Sequence, residues 1–360
     1  MDLEKLDLSR SLEEQARGLC KPGESVARVT AVDRDRYLIR NVQSEMPAEL
    51  KGRLVYVSES RFELPCIGDW VCVSYHDQES HAIVHRTLPR ASYLRRKAPG
   101  RNVEYQMIAA NIDVALIVQS CHFDFNVARL ERYLVMVGEG GIEPVILLTK
   151  TDLVSAEELA ELIEKIRDAG IGARVIALSN VTGDGVEPVR ELMQPGRTYC
   201  LLGSSGVGKT TLINRLLGDA TLETGVVSHT GEGRHTTTRR QLIVLENGGL
   251  LIDMPGMREL GLLGVGEEID EGFADVFANI QTRSRECRFA DCTHANEPGC
   301  AVREAIERGE LNAEHFRNYQ KLKKESEFHE LSYADKRQKD RAFGKLVRSV
   351  SKTRGKRDDY

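Results

Sequence analysis

The sequence predicts a multidomain protein in which an OB-fold-like β-barrel precedes an α/β domain, and a helical domain with a cysteine cluster follows. Three observations support this architecture. Short segments rich in β-branched and aromatic residues occupy positions 24–90, apolar runs alternate with helical periods over positions 111–253, and a charged helical stretch follows position 266. The length of 360 residues agrees with several domains, since one domain takes about 150 residues.

Composition indicates a cytoplasmic protein without a membrane partner. Hydrophobic residues make up 41% and charged residues 29% of the chain, as in ordinary soluble proteins. No apolar run approaches the roughly 18 residues that cross a bilayer, and positions 1–5 lack the character of a secretory signal. The net charge of -5 conceals a basic tail, where ten Lys and Arg residues stand against Asp340 alone over positions 336–357. Both a polyanion partner and a solvated tail with no partner fit this pattern.

The first third of the chain predicts a small barrel. Its candidate strands are separated by polar, glycine or proline residues and cover positions 25–32, 36–39, 53–57, 70–75 and 82–88. Short strands at this spacing favour an OB-fold, with an SH3-like barrel as the alternative. Four aromatic residues of this region suit base stacking and core packing equally well. They are Tyr37, Tyr56, Trp70 and Tyr75.

The middle of the chain has the pattern of a buried parallel sheet covered by helices. Predicted strands cover positions 114–118, 145–148, 174–177, 198–202, 241–245 and 250–253. Predicted helices cover positions 127–137, 156–169 and 186–193 and a stretch that ends at 217. Asn247, Gly248 and Gly249 predict a hairpin turn between the last two strands.

A phosphate-binding loop follows the strand at 198–202. Residues 203–210 match the pattern G-x-x-x-x-G-K-S/T, and a helical segment comes directly after them. Glycines let backbone N–H groups point at phosphate oxygens, Lys209 neutralises phosphate charge, and the Thr210 hydroxyl can ligate Mg²⁺. The predicted nucleotide contacts of this segment are Gly203, Ser204, Ser205, Gly206, Val207, Gly208, Lys209, Thr210 and Thr211.

Two further segments predict a sensor for Mg²⁺ and the γ-phosphate. Asp253 and Gly256 lie in an Asp-Met-Pro-Gly sequence after an apolar strand. The aspartate can hold Mg²⁺ through water, and the glycine amide can contact the γ-phosphate. Residues 231–239 form a polar loop in which Thr237 is the first candidate for another Mg²⁺ ligand, with Thr238 as the alternative.

A base-reading motif ends the strand at 145–148. It consists of Thr149, Lys150, Thr151 and Asp152. The Asp152 carboxylate can accept hydrogen bonds from the N1–H and N2–H₂ groups of guanine, and the Lys150 stem can lie along the base ring. A strand-end turn with a helix cap at Asp152 is the alternative. This motif precedes the phosphate loop, the reverse of the usual order, which predicts a circularly permuted GTPase domain.

Four zinc-type ligands crowd into a short segment of the C-terminal region. Cys287, Cys292, His294 and Cys300 have the spacing Cys-x₄-Cys-x-His-x₅-Cys, whereas the other cysteines are scattered, unlike those of a secreted disulfide framework. Three thiolates and one imidazole match a closed tetrahedral site. The pattern predicts one structural zinc ion per chain, with free buried cysteines as the alternative.

These motifs, in this order, resemble the RsgA family of circularly permuted GTPases over positions 24–319. The resemblance implies a slow GTPase that binds GTP with Mg²⁺, releases GDP, and assists late maturation of the small ribosomal subunit by binding its ribosomal RNA. Stimulation of turnover by that subunit is also implied. The family places a base-contacting backbone loop at positions that correspond to residues 177–180, which include Ser179. We also expect a monomer.

Two positions bear on what the resemblance implies. Met257 stands where many GTPases have the glutamine that orients water, and the family assigns that task to a histidine that corresponds to His235, which could instead pack or bind RNA. Lys209 and His235 are therefore the predicted catalytic residues.

The family commonly has asparagine where Thr149 stands, so we expect lower guanine affinity. Two alternatives stay open: a paralogue that acts on another RNA, and a nucleotide-gated RNA-binding assembly factor whose hydrolysis is incidental.

The motifs divide the chain into five predicted segments. They are an N-terminal extension at 1–23, an OB-fold-like domain at 24–97, a circularly permuted GTPase domain at 98–264, a zinc-binding helical domain at 265–330 and a basic tail at 331–360. The predicted fold class is therefore a multidomain protein with an OB-fold-like β-barrel, a permuted α/β P-loop GTPase domain and a helical zinc-binding domain.

Overall fold

In the structure, a computed structural model, the first described element is a helix, and a five-stranded barrel follows it. The described residues are 10–33, 36–41, 43–52, 64–76, 80–97, 105–218, 240–254, 272–273 and 275–330. The first elements are α1 (Arg10–Leu19), β1 (Ser25–Asp33), β2 (Arg36–Arg40), β3 (Glu45–Leu50), β4 (Trp70–His76) and β5 (His81–Thr87).

Strand pairing closes these five strands into a barrel of the OB type. The order is β1-β2-β3-β5-β4, and β1 also pairs with β4. The pairs are antiparallel except for β3 with β5, which is parallel. Val29, Ile39, Val73 and Val84 are fully buried in the barrel core, since alternate strand residues face one side. The predicted OB-fold-like barrel is confirmed.

One barrel strand lies where the sequence did not lead us to expect it. The predicted strand at 53–57 falls outside the described residues, and β3 was not predicted. Pro47 hides β3 in the sequence, because proline lacks the N–H of a ladder donor and is depleted in strands. Its neighbours Met46 and Ala48 nevertheless pack into the barrel core.

A two-stranded ribbon, β6 (Tyr93–Lys97) with β7 (Tyr105–Ala110), leads from the barrel to a six-stranded sheet. The strands of that sheet are β8 (Val114–Ser120), β9 (Glu143–Thr149), β10 (Arg174–Ala177), β11 (Thr198–Leu202), β12 (Arg240–Val244) and β13 (Leu250–Asp253). Their order is β10-β9-β8-β11-β13-β12, parallel except for β12.

Helices cover both faces of the central sheet. They are α2 (Val127–Glu139), α3 (Ala156–Asp168), α4 (Val186–Leu192) and α5 (Lys209–Leu217). Ile117 of β8 packs in one core cluster with Leu130 of α2, whereas its neighbour Leu116 packs in another with Leu212 of α5. Burial on both faces explains why this strand is a continuous apolar run in the sequence.

The barrel and the central sheet are continuous through one antiparallel pair. Ala31 of β1 lies opposite Gln241 of β12, which joins both into an 11-stranded sheet. The buried Arg28 side chain reinforces this junction. Its Nη2 donates hydrogen bonds to the oxygen of Asn111 at 3.0 Å and to Oγ1 of Thr198 at 2.9 Å. Arg28 thereby links the barrel to the start of β11.

The described C-terminal part contains the helices α6 (Ala278–Ser284), α7 (Ala301–Glu307) and α8 (Ala313–Glu330). Helix α8 docks on α2 through charged groups. Glu131 Oε1 lies 2.6 Å from His315 Nδ1 in a buried contact, and Arg132 donates two hydrogen bonds of 2.7 Å to Glu325. None of the described helices is long and apolar enough to cross a membrane.

A disulfide fastens α1 to the barrel. Cys20, directly after the helix, is bonded to Cys72 of β4. Leu12 and Ala16 of the helix are also buried against the core that contains Trp70. The sequence did not indicate this bridge, because the two cysteines are separated by 52 positions.

Candidate functional site

The phosphate loop connects β11 to α5 and has a backbone that its glycines permit. The angle φ is 148° at Gly203, 79° at Gly206 and 99° at Gly208. A Cβ atom at Gly203 would lie 2.2 Å from the carbonyl oxygen of Val118, so a side chain does not fit there. Backbone N–H groups at such a strand-to-helix turn suit an anion.

Lys209 begins α5 and lies among backbone oxygens and carboxylates. Its Nζ donates hydrogen bonds of 2.7 Å to the oxygen of Gly203 and 2.6 Å to that of Ser204. Burial lowers the pKa of Lys209 to about 8, while the charges of Asp253 and Asp124 raise it. Burial also raises the pKa of Asp253, and Lys209 opposes that shift. Phosphate charge in the loop would offset the burial of Lys209 and favour its protonated form.

Thr149 joins the predicted base motif to the phosphate loop. Its side chain is fully buried, and its hydroxyl donates to the carbonyl oxygen of Val207 at 2.6 Å, with the oxygen of Gln119 3.1 Å away. Its own backbone oxygen accepts a hydrogen bond of 2.8 Å from the N–H of Cys121. Because Thr149 is enclosed by protein, it acts on the candidate nucleotide site through Val207 rather than by contact with a base.

Lys150, Asp152 and Ser179 lie together at the carboxyl edge of the sheet, where the parallel strands β9 and β10 end. Ser179 Oγ donates to Asp152 Oδ1 at 2.5 Å and accepts hydrogen bonds of 3.1 Å from the N–H groups of Val181 and Thr182. Ser179 is buried and Asp152 is exposed. The serine therefore orients a carboxylate that faces solvent.

Helix α5 holds the loop after β10 against the phosphate loop. Asn180 Nδ2 donates to the oxygen of Gly208 at 3.1 Å, and Arg215 Nε donates to the oxygen of Asn180 at 2.6 Å. Arg215 Nη2 also donates to the oxygen of Val181 at 2.9 Å. The family resemblance placed Asn180 in the base-contacting loop but gave its side chain no role. Sequence reasoning missed Arg215, because it belongs to no spaced motif.

The loop after β8, residues 121–126, is a further part of the site that sequence reasoning missed. Gln119 closes this loop, since its Nε2 donates to the oxygen of Asn126 and its Oε1 accepts from the N–H of Asn126, both at 2.9 Å. Phe123 is 60% exposed, and Lys150 Nζ lies 5.0 Å from the centre of its ring. The only signal in the sequence was an aromatic residue three positions after a buried strand.

The predicted zinc ligands converge. Cys287 Sγ and Cys300 Sγ are 3.9 Å apart, and His294 Nδ1 lies 3.6 Å from the first and 3.4 Å from the second. With Cys292, the four ligand atoms lie within 4.8 Å of one another. Tetrahedral zinc, with Zn–S bonds of about 2.3 Å and Zn–N bonds of about 2.0 Å, requires S···S separations of about 3.8 Å and S···N separations of about 3.5 Å. The cluster therefore fits a zinc ion.

Glu297 supports the turn that carries His294. Its Oε1 accepts hydrogen bonds of 2.9 and 2.5 Å from the N–H and hydroxyl of Thr293, and its Oε2 accepts 2.9 and 3.0 Å bonds from the N–H groups of Ala295 and Asn296. The Thr293 side-chain bond, followed by backbone bonds, lowers the pKa of Glu297 to about 2. Sequence reasoning missed this residue because it does not belong to the spaced set of predicted zinc ligands.

The remaining predicted residues divide into two groups. On the first turn of α5, Thr210 is half-buried and Thr211 is exposed, while Asp253 ends β13 beside β11. A hydroxyl and a carboxylate are oxygen ligands of the kind that Mg²⁺ takes. His235, Thr237 and Gly256 lie outside the described residues.

Comparisons with known proteins find relatives over most of the chain. A family model described as RsgA GTPase matches residues 87–263. Proteins named "Small ribosomal subunit biogenesis GTPase RsgA 2" are 41% identical in Lactiplantibacillus plantarum, over 86% of each chain, and 40% identical in Vibrio parahaemolyticus, over 92% of this chain and 87% of the relative.

Two solved structures share the fold. YjeQ from Thermotoga maritima superposes with a TM-score of 0.62 at 23% identity, covering 83% of this chain and 97% of that chain. YloQ, described as a circularly permuted GTPase, superposes with a TM-score of 0.57 at 24% identity, covering 83% of this chain and 93% of its own. The reversed motif order thus coincides with a permuted fold.

Proposed function

The chain belongs to the RsgA family of circularly permuted GTPases, and from that membership we propose that it hydrolyses GTP to GDP and phosphate while assisting late maturation of the small ribosomal subunit. The observation that carries the proposal is a contact between the base motif and the phosphate loop, which occur in reversed order in the sequence. The Thr149 hydroxyl, in the base motif, donates to the oxygen of Val207, in the phosphate loop. One nucleotide would therefore span both motifs.

Guanine recognition rests on the Asp152 carboxylate. It would accept hydrogen bonds from N1–H and N2–H₂ of guanine, a pair of donors that adenine lacks. Ser179 supports this role because its hydroxyl already orients the carboxylate at 2.5 Å. The stem of Lys150 would lie along the base, and Thr151, which begins a short helical turn, would complete this side of the site.

Hydrolysis would use direct attack of water on the γ-phosphate. Lys209 and the N–H groups of the phosphate loop would stabilise charge on the transferring phosphoryl group. Thr210, Asp253 and Thr237 would hold Mg²⁺, which neutralises phosphate charge when bound. His235 would orient the attacking water, as its counterpart does in the family, because Met257 stands in the place of the usual glutamine.

The Cys287, Cys292, His294 and Cys300 cluster would hold one structural zinc ion. The ligand separations support this, since they match a tetrahedron whose four positions are all filled by protein. The proposed role is to fix the segment 287–300 to the start of α7, because Cys300 directly precedes that helix. The boundaries 24–97, 98–264 and 265–330 would separate the three domains.

Ribosomal RNA would be contacted by the barrel, the zinc-binding domain and the basic tail at 331–360. The charge of the tail supports this partner, because Lys and Arg side chains release counterions from phosphates on binding. Such contacts should weaken steeply with salt. We propose a cytoplasmic monomer that acts on one subunit at a time.

Steady-state GTP hydrolysis tests the proposal. The purified protein is assayed alone and with small subunits, large subunits or transfer RNA at matched salt. Stimulation by small subunits only is the expected result. Equal stimulation by the other RNAs would favour a paralogue with another target, and tight GTP-dependent subunit binding without stimulation would favour a nucleotide-gated assembly factor. Absence of hydrolysis under all conditions would contradict the enzymatic role.

The His235→Ala variant tests the water-orienting role within the same assay. We expect GTP binding to persist and turnover to fall by about 100-fold, as is typical when a general acid–base group is removed. His229→Ala is the matched control, because it removes another histidine from the same segment between α5 and β12. Full turnover in His235→Ala would refute this assignment.

A further inference from the structure

The loop at 121–126 presents a large apolar side chain to solvent beside the base motif. We propose that Phe123 forms one wall of the guanine pocket and stacks on the nucleotide base, which makes it an affinity-determining residue. This inference rests on the proposed function, because it needs a guanine nucleotide at Asp152. Neither motif spacing nor the family resemblance points to this residue.

The topology places Phe123 at the base motif. Strands β8 and β9 are parallel neighbours in which Ser120 lies opposite Thr149. The loops that leave them begin side by side, and the N–H of Cys121 donates to the oxygen of Thr149 at 2.8 Å. Burial and then the charge of Asp152 raise the pKa of the Cys121 thiol to about 11, which agrees with an Asp152 carboxylate close to this loop.

The loop is held in place, so the exposure of Phe123 is not that of a loose segment. Gln119 makes two hydrogen bonds of 2.9 Å with the backbone of Asn126. The Asn126 side chain in turn accepts from the N–H of Arg129 at 2.9 Å and caps α2. Both ends of the loop are therefore anchored, while the Phe123 side chain between them is 60% exposed.

Lys150 connects Phe123 to the predicted base position. Its Nζ lies 5.0 Å from the centre of the Phe123 ring, within the range of a cation–π contact. A base that lies along the stem of Lys150 would therefore meet the Phe123 ring at the end of that stem. An aromatic ring at that point supplies the apolar face that a purine needs once it leaves water.

Stacking recognises the face of a base and not its edge. Phe123 should therefore contribute affinity for purine nucleotides in general, while Asp152 discriminates guanine from other bases. Alanine substitution of a stacking aromatic residue weakens base binding by about tenfold, equivalent to about 1.4 kcal/mol. The contact is made equally in the ground state and the transition state, so its loss should raise the KM for GTP by a similar factor.

A tryptophan in place of Phe123 reports stacking directly. The chain has one tryptophan, Trp70, which is fully buried, so Phe123→Trp adds a single exposed reporter. We expect GDP to quench the emission of this variant and to leave that of the wild-type protein unchanged. Unchanged emission of the variant at a GDP concentration that saturates it by calorimetry would overturn the proposal.

Affinity measurements separate this inference from the proposed function. Calorimetry with GDP compares the wild-type protein with Phe123→Ala and Phe123→Tyr, and Phe289→Ala serves as the control because Phe289 is also exposed and lies under an arginine, Arg288. We expect about tenfold weaker binding for Phe123→Ala and retention of affinity by Phe123→Tyr and Phe289→Ala.

Asp152→Asn supplies the remaining comparison. It should shift preference from GDP to xanthosine diphosphate, and adding Phe123→Ala should weaken binding of xanthosine diphosphate by the same factor as it weakens GDP binding to the parent. If Asp152→Asn shifts the preference while Phe123→Ala binds GDP as tightly as the parent, the Phe123 inference alone is refuted. If the wild-type protein does not bind GDP, the proposed function and the inference both fail.

Discussion

The hydrogen bond between Thr149 and Val207 offers the sharpest test of how the two motifs are joined. Replacement of Thr149 by valine keeps the shape of the side chain and removes only the hydroxyl. Thr149 is fully buried and its Oγ1 lies 2.6 Å from the oxygen of Val207, so water cannot take its place. Leaving a buried carbonyl without its donor costs about 1–3 kcal/mol.

We therefore expect Thr149→Val to lower the free energy of unfolding by about 1–3 kcal/mol. GDP affinity should also fall, because the phosphate loop loses its link to the base motif. If the substitution destabilises the nucleotide-bound protein by about 1 kcal/mol more than the free protein, the dissociation constant for GDP rises about fivefold. Urea unfolding followed by circular dichroism and calorimetry with GDP measure the two effects.

Thr87→Val is the matched control for this substitution. Thr87 ends β5, and its Oγ1 is buried without a hydrogen-bond partner among the described residues. Removal of that hydroxyl should leave stability unchanged or raise it, since no bond is lost. If Thr149→Val and Thr87→Val behave alike in both measurements, the Thr149 bond does not couple the motifs and the reasoning is wrong.

Two further predictions concern Lys209 and the zinc cluster. Because burial lowers the pKa of Lys209 to about 8 and bound phosphate should raise it, GDP binding should take up a proton above pH 8 and weaken as pH rises from about 8 to about 10. Calorimetry in buffers of different ionisation enthalpy measures this uptake, and an unchanged profile in Lys209→Arg would contradict it. Cys300→Ala should abolish zinc binding and hydrogen-exchange protection of the C-terminal helices, whereas Cys66→Ala, which removes a buried cysteine elsewhere, should retain both. The zinc content of both variants is measured by metal analysis after dialysis. A full zinc content in Cys300→Ala would exclude the proposed site.

The central sheet was predicted closely from the sequence. Strands at 174–177, 198–202 and 250–253 have the predicted bounds. The strands at 198–202 and 250–253 are buried on most of their length, and Ile176 is buried in the strand at 174–177. They therefore stand out as short apolar runs between polar segments. Strand β3 did not stand out, because Pro47 interrupts it and Glu45 and Glu49 alternate with the core-facing residues Met46, Ala48 and Leu50.

The candidate site was predicted where it depends on local spacing. Glycines at 203, 206 and 208 take positive φ values, and the Cys287, Cys292, His294 and Cys300 side chains converge, since each set lies on one short segment. Gln119, Arg215 and Glu297 were missed. Gln119 and Arg215 make contacts between chain segments that meet only after folding. Glu297 supports a turn whose shape cannot be read from the spacing of the metal ligands.

By itself, the sequence determined the order of the motifs, the permuted α/β fold and the identity of the residues that can carry phosphate, guanine and zinc chemistry. These properties follow from short-range patterns of glycine, apolar and ligand residues. Only the tertiary structure decided how the parts are joined. The Thr149–Val207 bond spans 58 positions, Arg28 reaches Thr198 across 170, and Glu131 reaches His315 across 184. Hydrogen bonds between residues so distant depend on the packing of whole elements, which no local pattern specifies.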